Sequence, residues 1–204
     1  MMRFALIIFL SLGFFQLSAQ KFSGGIYGGL VTSQIDGDGL SGFSLWGVQA
    51  GAFAAMPIGE NSDLKLELLF IQKGSRQVPD STNGFIQYRV RANYLEIPLL
   101  YRLRWNYLSF ELGPALDINV SQFEESQYIE VEPYADFNRF HLCGIFGISY
   151  HFSEQFYVNF RTTISITPAR NISGARGVPG QISIGGGGQR HVVLGTALVY
   201  EFGS

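Results

Sequence analysis

The sequence predicts an all-β protein, an eight-stranded antiparallel up-and-down transmembrane β-barrel with short periplasmic turns and long extracellular loops. Three observations carry that prediction. The first is a hairpin over residues 94–120 in which apolar and polar residues alternate strictly along two long strands. The second is composition: 15% of the 204 residues are charged, 15% are aromatic and 25 are glycine, whereas about a quarter of a soluble domain is charged. The third is that the segments between strands alternate long, short, long along the chain. Strands of about ten residues, apolar on one face and polar on the other, suit a membrane barrel, because closure alone satisfies every backbone group of a sheet in lipid.

The central hairpin shows the pattern best. Leu95, Ile97, Leu99, Tyr101 and Leu103 share one face, and Tyr94, Glu96, Leu100, Arg102 and Arg104 share the other. After a turn at Trp105 and Asn106, residues Leu108, Phe110, Leu112, Leu116, Ile118 and Val120 fall opposite Ser109, Glu111, Gly113, Ala115, Asp117 and Asn119. A soluble eight-stranded barrel such as a lipocalin also alternates, but its apolar rows face inward and its charges outward. Here an inward apolar row would need a large greasy ligand to fill it.

Residues 1–19 read as a signal peptide: Arg3 supplies the positive start, residues 4–15 the apolar stretch, and Ser18 and Ala19 the small residues before a cut. That apolar run is shorter than the roughly 20 residues a spanning helix needs. Residues 20–204 then form one barrel domain. The single Cys143 can make no internal disulfide. A formal net charge of -2 with no basic face argues against nucleic acid as a partner.

In order, residues 22–31 form a glycine-laced strand, and residues 32–42 a polar loop containing Asp36, Gly37 and Asp38. Residues 43–55 form the second strand. After a turn at 57–63, the third strand, 64–73, places Leu64, Leu66, Leu68 and Phe70 opposite Lys65, Glu67, Leu69 and Ile71. Residues 74–93 are a polar excursion whose later part extends the fourth strand. The loop 121–138 holds Glu124, Glu125, Glu130, Glu132 and Asp136. Strand six, 139–152, sets Phe140, Leu142, Phe146, Ile148, Tyr150 and Phe152 against His141, Cys143, Ser149 and His151. A tight turn leads into strand seven, 156–167. The last loop, 168–189, ends in four glycines at 185–188, and strand eight, 191–202, finishes on an aromatic residue as clients of the barrel-assembly machinery do. An even strand count with this loop parity puts both termini in the periplasm.

Within that chain, residues 64–74, containing LELLFIQKG, and residues 93–103, NYLEIPLLYRL, resemble the PorT-like outer-membrane β-barrel family, also described as the outer-membrane protein beta-barrel domain. The resemblance implies an eight-stranded barrel similar to the small OmpA and OmpX type. One namesake member of that family is tied to protein secretion and gliding, and no motif in this chain marks that role.

The predicted lumen holds Lys65, Glu67, Glu96, Arg102, Glu111, Asp117, Arg161 and Glu201. An eight-stranded barrel is only wide enough for side chains to fill, so these residues are expected to form a structural network of ion pairs rather than a conducting path. A small gated channel is the alternative. A lipid-modifying hydrolase built from His141, Ser149 or His151 with Glu96 or Glu111 fits less well, since these residues point inward rather than to lipid. Asp36-Gly37-Asp38 opens like a calcium loop but lacks the later ligands. The four glycines lack the lysine-serine pair of a phosphate loop. No catalytic residue, cofactor or metal is therefore expected. The expected partners are outer-membrane lipid, the assembly machinery, and a surface ligand or protein at the extracellular loops.

Overall fold

The computed structural model describes residues 22–40, 42–81, 83–132, 135–171 and 188–203. The expected signal peptide and glycines 185–187 lie outside the described residues. Eight long strands form one sheet: β1 (Ser23–Asp36), β2 (Leu45–Pro57), β3 (Ser62–Gln77), β4 (Tyr88–Trp105), β5 (Leu108–Ser126), β7 (Phe140–His151), β8 (Phe156–Ser165) and β9 (Arg190–Phe202). A two-residue β6 (Ile129–Glu130) folds back on the end of β5. Each long strand pairs antiparallel with its sequence neighbours, and β1 pairs with β9 from Gly24 opposite Phe202 to Asp36 opposite Arg190. That seam closes the sheet into an up-and-down barrel with no long strand left as an edge.

The alternation read from the hairpin holds around the barrel. Ile26, Leu30, Leu66, Leu68, Leu112, Phe146, Phe160 and Leu198 are exposed on the outside, while Lys65, Glu67, Glu96, Arg102, Glu111 and Asp117 are buried inside. Such a surface suits lipid, where an outward apolar band carries no penalty. One rim of the barrel, where the connections are short (58–61, 106–107, 152–155), is ringed by exposed Trp105, Tyr107, Phe152, Phe156 and Phe202 and the half-buried Tyr200. Phe156 and Tyr200 have ring centroids 4.8 Å apart, and Phe152 stacks on Phe156 at 6.2 Å. Aromatic girdles of this kind sit at a membrane–water interface, where a ring body is apolar and its tip wet. Both described chain ends lie at this turn end.

The strands run further than hydrophobic periodicity predicts. β1 continues to Asp36 through residues expected to be loop, and β5 continues to Ser126 before hairpinning into β6. The reason is that ladder hydrogen bonding persists above the apolar band, where the side chains turn polar and the periodic signal fades. At this loop end a register shift sets Asn93 opposite Ser121 but Tyr94 opposite Asn119, so Val120 is an extra residue on β5. This β-bulge inverts the facing of the β5 residues beyond it. Below it Glu111, Ala115 and Asp117 point inward; above it the even-numbered Glu124 does, 2% exposed. Glu124 is thus a strand residue of the interior, not the free loop acid that the sequence suggests.

The interior is crowded enough to dictate small residues on the wall. A Cβ on Gly25 would lie 2.4 Å from the Phe53 ring and 2.5 Å from the Tyr200 carbonyl oxygen. Gly25→Leu is expected to lower stability by about 1–3 kcal/mol or more through overpacking. The outward Ile26→Val change beside it should be nearly silent. Urea unfolding of the refolded protein in detergent, followed by loss of the fast-migrating folded band on unheated gels, checks both.

Candidate functional site

The inward rows of the eight strands bring charged side chains into four successive tiers along the barrel axis. In the tier at the turn end, Arg102 of β4 fills the middle. Its Nε donates to Asp63 Oδ1 at 2.8 Å, and its two Nη atoms donate to both oxygens of Glu201 at 2.8 and 3.0 Å. Ser23 Oγ donates to Glu201 as well, at 2.8 Å, and Arg104 reaches Asp63 and Glu201 from the mouth at 3.1 and 3.0 Å. Bidentate guanidinium–carboxylate pairing of this kind is among the stronger geometries.

The second tier holds Lys65 and Glu67 of β3, Glu111 of β5 and Arg161 of β8. Arg161 grips both oxygens of Glu67 at 2.7 and 2.9 Å, and Lys65 Nζ lies 2.8 Å from Glu67 and 3.3 Å from Glu111. Tyr27 Oη donates to Glu67 at 2.8 Å, and Asn159 Nδ2 donates to Glu111. Lys65 Nζ also sits 4.3 Å from the centre of the Phe53 ring, so its ammonium is desolvated against a π face.

The third tier joins Lys73, Glu96, Asp117, His141, Cys143 and His191. Lys73 Nζ is 2.5 Å from both Glu96 Oε2 and Asp117 Oδ2. His141 Nε2 is 2.9 Å from the same Asp117 oxygen, and Cys143 Sγ is 3.3 Å from it. Tyr94 packs edge-on to both His141 and His191 at 5.1 and 5.3 Å, with its hydroxyl 3.0 Å from His191 Nε2. The fourth tier, at the loop end, pairs Arg170 with Glu124, to which Tyr88 Oη donates at 2.6 Å. Arg170 lies 4.2 Å over the Phe137 ring.

All eight residues that the sequence sends to the lumen are buried in the first three tiers. Sequence reasoning missed their partners. Asp63 and Lys73 continue the inward row of β3 at either end, so the parity of Lys65 and Glu67 carried the signal. Tyr27, Tyr94 and Tyr157 lie on the inward rows of their strands; parity already sets Tyr94 on the face of Glu96, but it does not say which inward group an aromatic residue will meet. Arg170 comes from a connection that no strand pattern could place.

The imagined hydrolase residues do not assemble. His141 lies beside Asp117 in the third tier, whereas Ser149, eight residues along the same strand and so about 26 Å away, accepts from Asn159 at 2.9 Å. His151 Nε2 is 2.9 Å from Ser109 Oγ, but Ser109 is completely buried and closed to a substrate. In the β1–β2 connection, Asp38 Oδ1 accepts from the Leu40 amide at 2.8 Å, an Asx turn rather than a calcium loop.

With this geometry in place, a family model described as the outer membrane protein beta-barrel domain matches residues 14–171. The chain belongs to that family. Its place is therefore the outer membrane. Among solved structures the barrel is similar to Ail, the attachment invasion locus protein of Yersinia pestis, at 10% identity and a TM-score of 0.50, covering 89% of this chain and 99% of that one. It is likewise similar to Neisserial surface protein A, at 11% identity and a TM-score of 0.51, covering 89% and 97%. At such identities the likeness speaks for the fold, that of the small OmpA and OmpX type. No curated protein matches the chain by sequence.

The charge network sets clear expectations for stability. Arg102→Met strands Asp63 and Glu201 with only the half-exposed Arg104, and should cost about 3–5 kcal/mol of stability, as removal of one partner of a buried pair does. Lys65→Met combined with Glu111→Leu keeps the tier neutral and should cost less than Lys65→Met alone; urea unfolding of the variants in detergent measures both. Separately, burial and the nearby Asp36 raise the Asp38 carboxyl to about 6. A raised carboxyl favours the folded turn while protonated, so that contribution is present below about pH 4 and lost as pH rises through 6. Proteolytic nicking of the β1–β2 connection should accordingly increase between pH 4.5 and 7.5, and Asp38→Asn should flatten the change.

Proposed function

We propose that this outer-membrane barrel is a non-conducting, non-catalytic scaffold that presents its loop end to a partner at the cell surface. The observation that carries the reading is the filled interior. Arg102, Lys65, Glu67, Lys73, Glu96 and Asp117 are each no more than 1% exposed and are all held in ion pairs inside the barrel. In this reading the eight interior residues act as a structural plug, and what the protein does lies at its ends.

The loop end has the features of a presenting surface. Phe85 and Tyr128 cap the β3–β4 connection and the β5–β6 hairpin with φ of 60° and 66°, a left-handed backbone that non-glycine residues adopt only when held there. Their side chains are 68% and 76% exposed. The two tips are tied together where the Gln127 amide donates to the Gln87 carbonyl oxygen at 3.0 Å. Exposed aromatic groups on a rigid rim are what hot spots of protein recognition use. Ail has been crystallised in complex with the heparin analogue sucrose octasulfate. The acids Glu125, Glu130 and Glu132 at this rim favour a protein partner here over a sulfated one. The same reading has residues 1–19 removed as a signal peptide, both termini in the periplasm, insertion by the barrel-assembly machinery, and a place in the PorT-like branch, on the strength of LELLFIQKG and NYLEIPLLYRL.

Planar bilayers containing folded protein should stay electrically silent, and steady single-channel steps would overturn the scaffold reading. On whole cells, a photo-crosslinking residue at position 85 or 128 should give a discrete adduct. One at position 107, on the opposite rim, should give none from the medium side.

A further inference from the structure

The four tiers differ in charge balance. The first sets two guanidinium groups against two carboxylates, the second one ammonium and one guanidinium against two carboxylates, and the fourth one guanidinium against one carboxylate. The third sets a single ammonium, Lys73, against Glu96 and Asp117. It is one positive charge short in a place where an uncompensated charge is costly.

The same tier collects unpartnered polar atoms. Glu96 Oε1, Asp117 Oδ1, His141 Nδ1 and His191 Nδ1 are buried without a hydrogen bond, although Glu96, Asp117, His141 and His191 are each no more than 2% exposed. Asp117, His141 and Cys143 each offer a ligand atom, all within 4.8 Å of one another. A shared proton could restore neutrality, but it would satisfy at most two of these atoms. It would leave the thiol only its weak donation to Asp117 Oδ2.

We propose that this tier is a binding site for one divalent transition-metal ion of the zinc class, held by Asp117, His141 and the Cys143 thiolate, with the unpartnered Glu96 Oε1 of the same tier as fourth ligand. Carboxylate, imidazole and thiolate are the donor set that zinc takes. Bond lengths of about 2.0–2.3 Å put tetrahedral ligand atoms about 3.3–3.7 Å apart, so modest side-chain rotation closes the present spread. Binding forms a metal–sulfur bond as the Cys143 S–H proton leaves to buffer. With two positive charges gained and one thiolate created, the tier becomes neutral. Asp117 Oδ2, which already faces His141 Nε2 and Cys143 Sγ, is the oxygen placed for the metal, while Lys73 keeps its contact with Oε2 of Glu96 and turns to the free Oδ1 of Asp117. The ion would tie β4, β5 and β7 together just below the bulge at Val120, and would enter as the barrel forms, since the site is closed once folded.

The chain holds one cysteine, which makes the test independent of any variant. The untagged full chain is refolded into detergent micelles with Co2+ and a phosphine reductant, then stripped of loose metal on a chelating resin. The expected result is close to one cobalt per folded chain, with the near-ultraviolet thiolate-to-cobalt charge-transfer band, which can arise only from Cys143, and loss of that band on exchange with Zn2+. Cys143→Ser should abolish the band and lower retained metal at least tenfold. His141→Gln should weaken retention without removing the band. A folded wild-type chain that retains less than a tenth of an equivalent, or retains cobalt without the charge-transfer band, overturns the proposal, whether or not the variants fold.

Discussion

The requirement that no backbone amide meet lipid unpaired governs this structure. A sheet satisfies it only by closing, and closure here rests on thirteen facing residue pairs between β1 and β9, the two strands furthest apart in sequence. Gly25, Gly29 and Gly195 lie along that seam. A Cβ on Gly29 would stand 2.0 Å from the Thr196 carbonyl oxygen, so the wall closes tightly because the side chains there are absent. With eight strands the lumen is only about wide enough for side chains to fill it. Inward-pointing charges must therefore find their counter-charges among other inward-pointing groups.

That second demand explains the tiered interior. A buried ion pair contributes little net stability and often loses to a packed apolar pair of equal volume, so the network is better read as a device for register. Arg102 can reach Asp63 and Glu201 together only if β4 is in register with β3 and β9 stands across the lumen from it. Arg161 reaches Glu67 only from β8, across the barrel from β3. A one-residue slip of any of these strands would turn its charges into lipid, a far larger penalty than the pair itself returns. The interior charges thus specify one pairing among many that the outer apolar rows would tolerate.

Much of this was legible in the sequence, and the boundary of legibility has a physical meaning. Within the apolar band, side-chain period and strand facing are the same information, so Lys65, Glu96, Arg102, Glu111 and Asp117 could be sent inward from the sequence alone. Above the band both faces become polar and the period disappears. For that reason the end of β1, the hairpin of β5 with β6 and the inward turn of Glu124 past Val120 were not visible. Partners contributed from non-adjacent strands, such as Tyr27 of β1 with Glu67 of β3, were invisible for another reason: which inward residues share a level depends on shear, and local alternation does not carry it. Arg170 illustrates both limits, being a connection residue that meets Glu124 only because of the bulge.

A further constraint explains why the inward row is ionic at all when an apolar filling would be easier to stabilise. A chain bound for the outer membrane must first pass the inner one, where about 20 consecutive apolar residues would be retained as a spanning helix. Residues 94–120 come close to that limit, since both strands of the hairpin carry aliphatic outer rows and only a two-residue turn parts them. Glu96, Arg102, Arg104, Glu111 and Asp117 interrupt the run about once every five residues. An apolar interior would remove those interruptions and turn the hairpin into a helix signal. The charges that pair inside the finished barrel are, during transit, what keeps each strand from stopping in the wrong membrane, and their mutual neutralisation lets the same residues be tolerated at the destination.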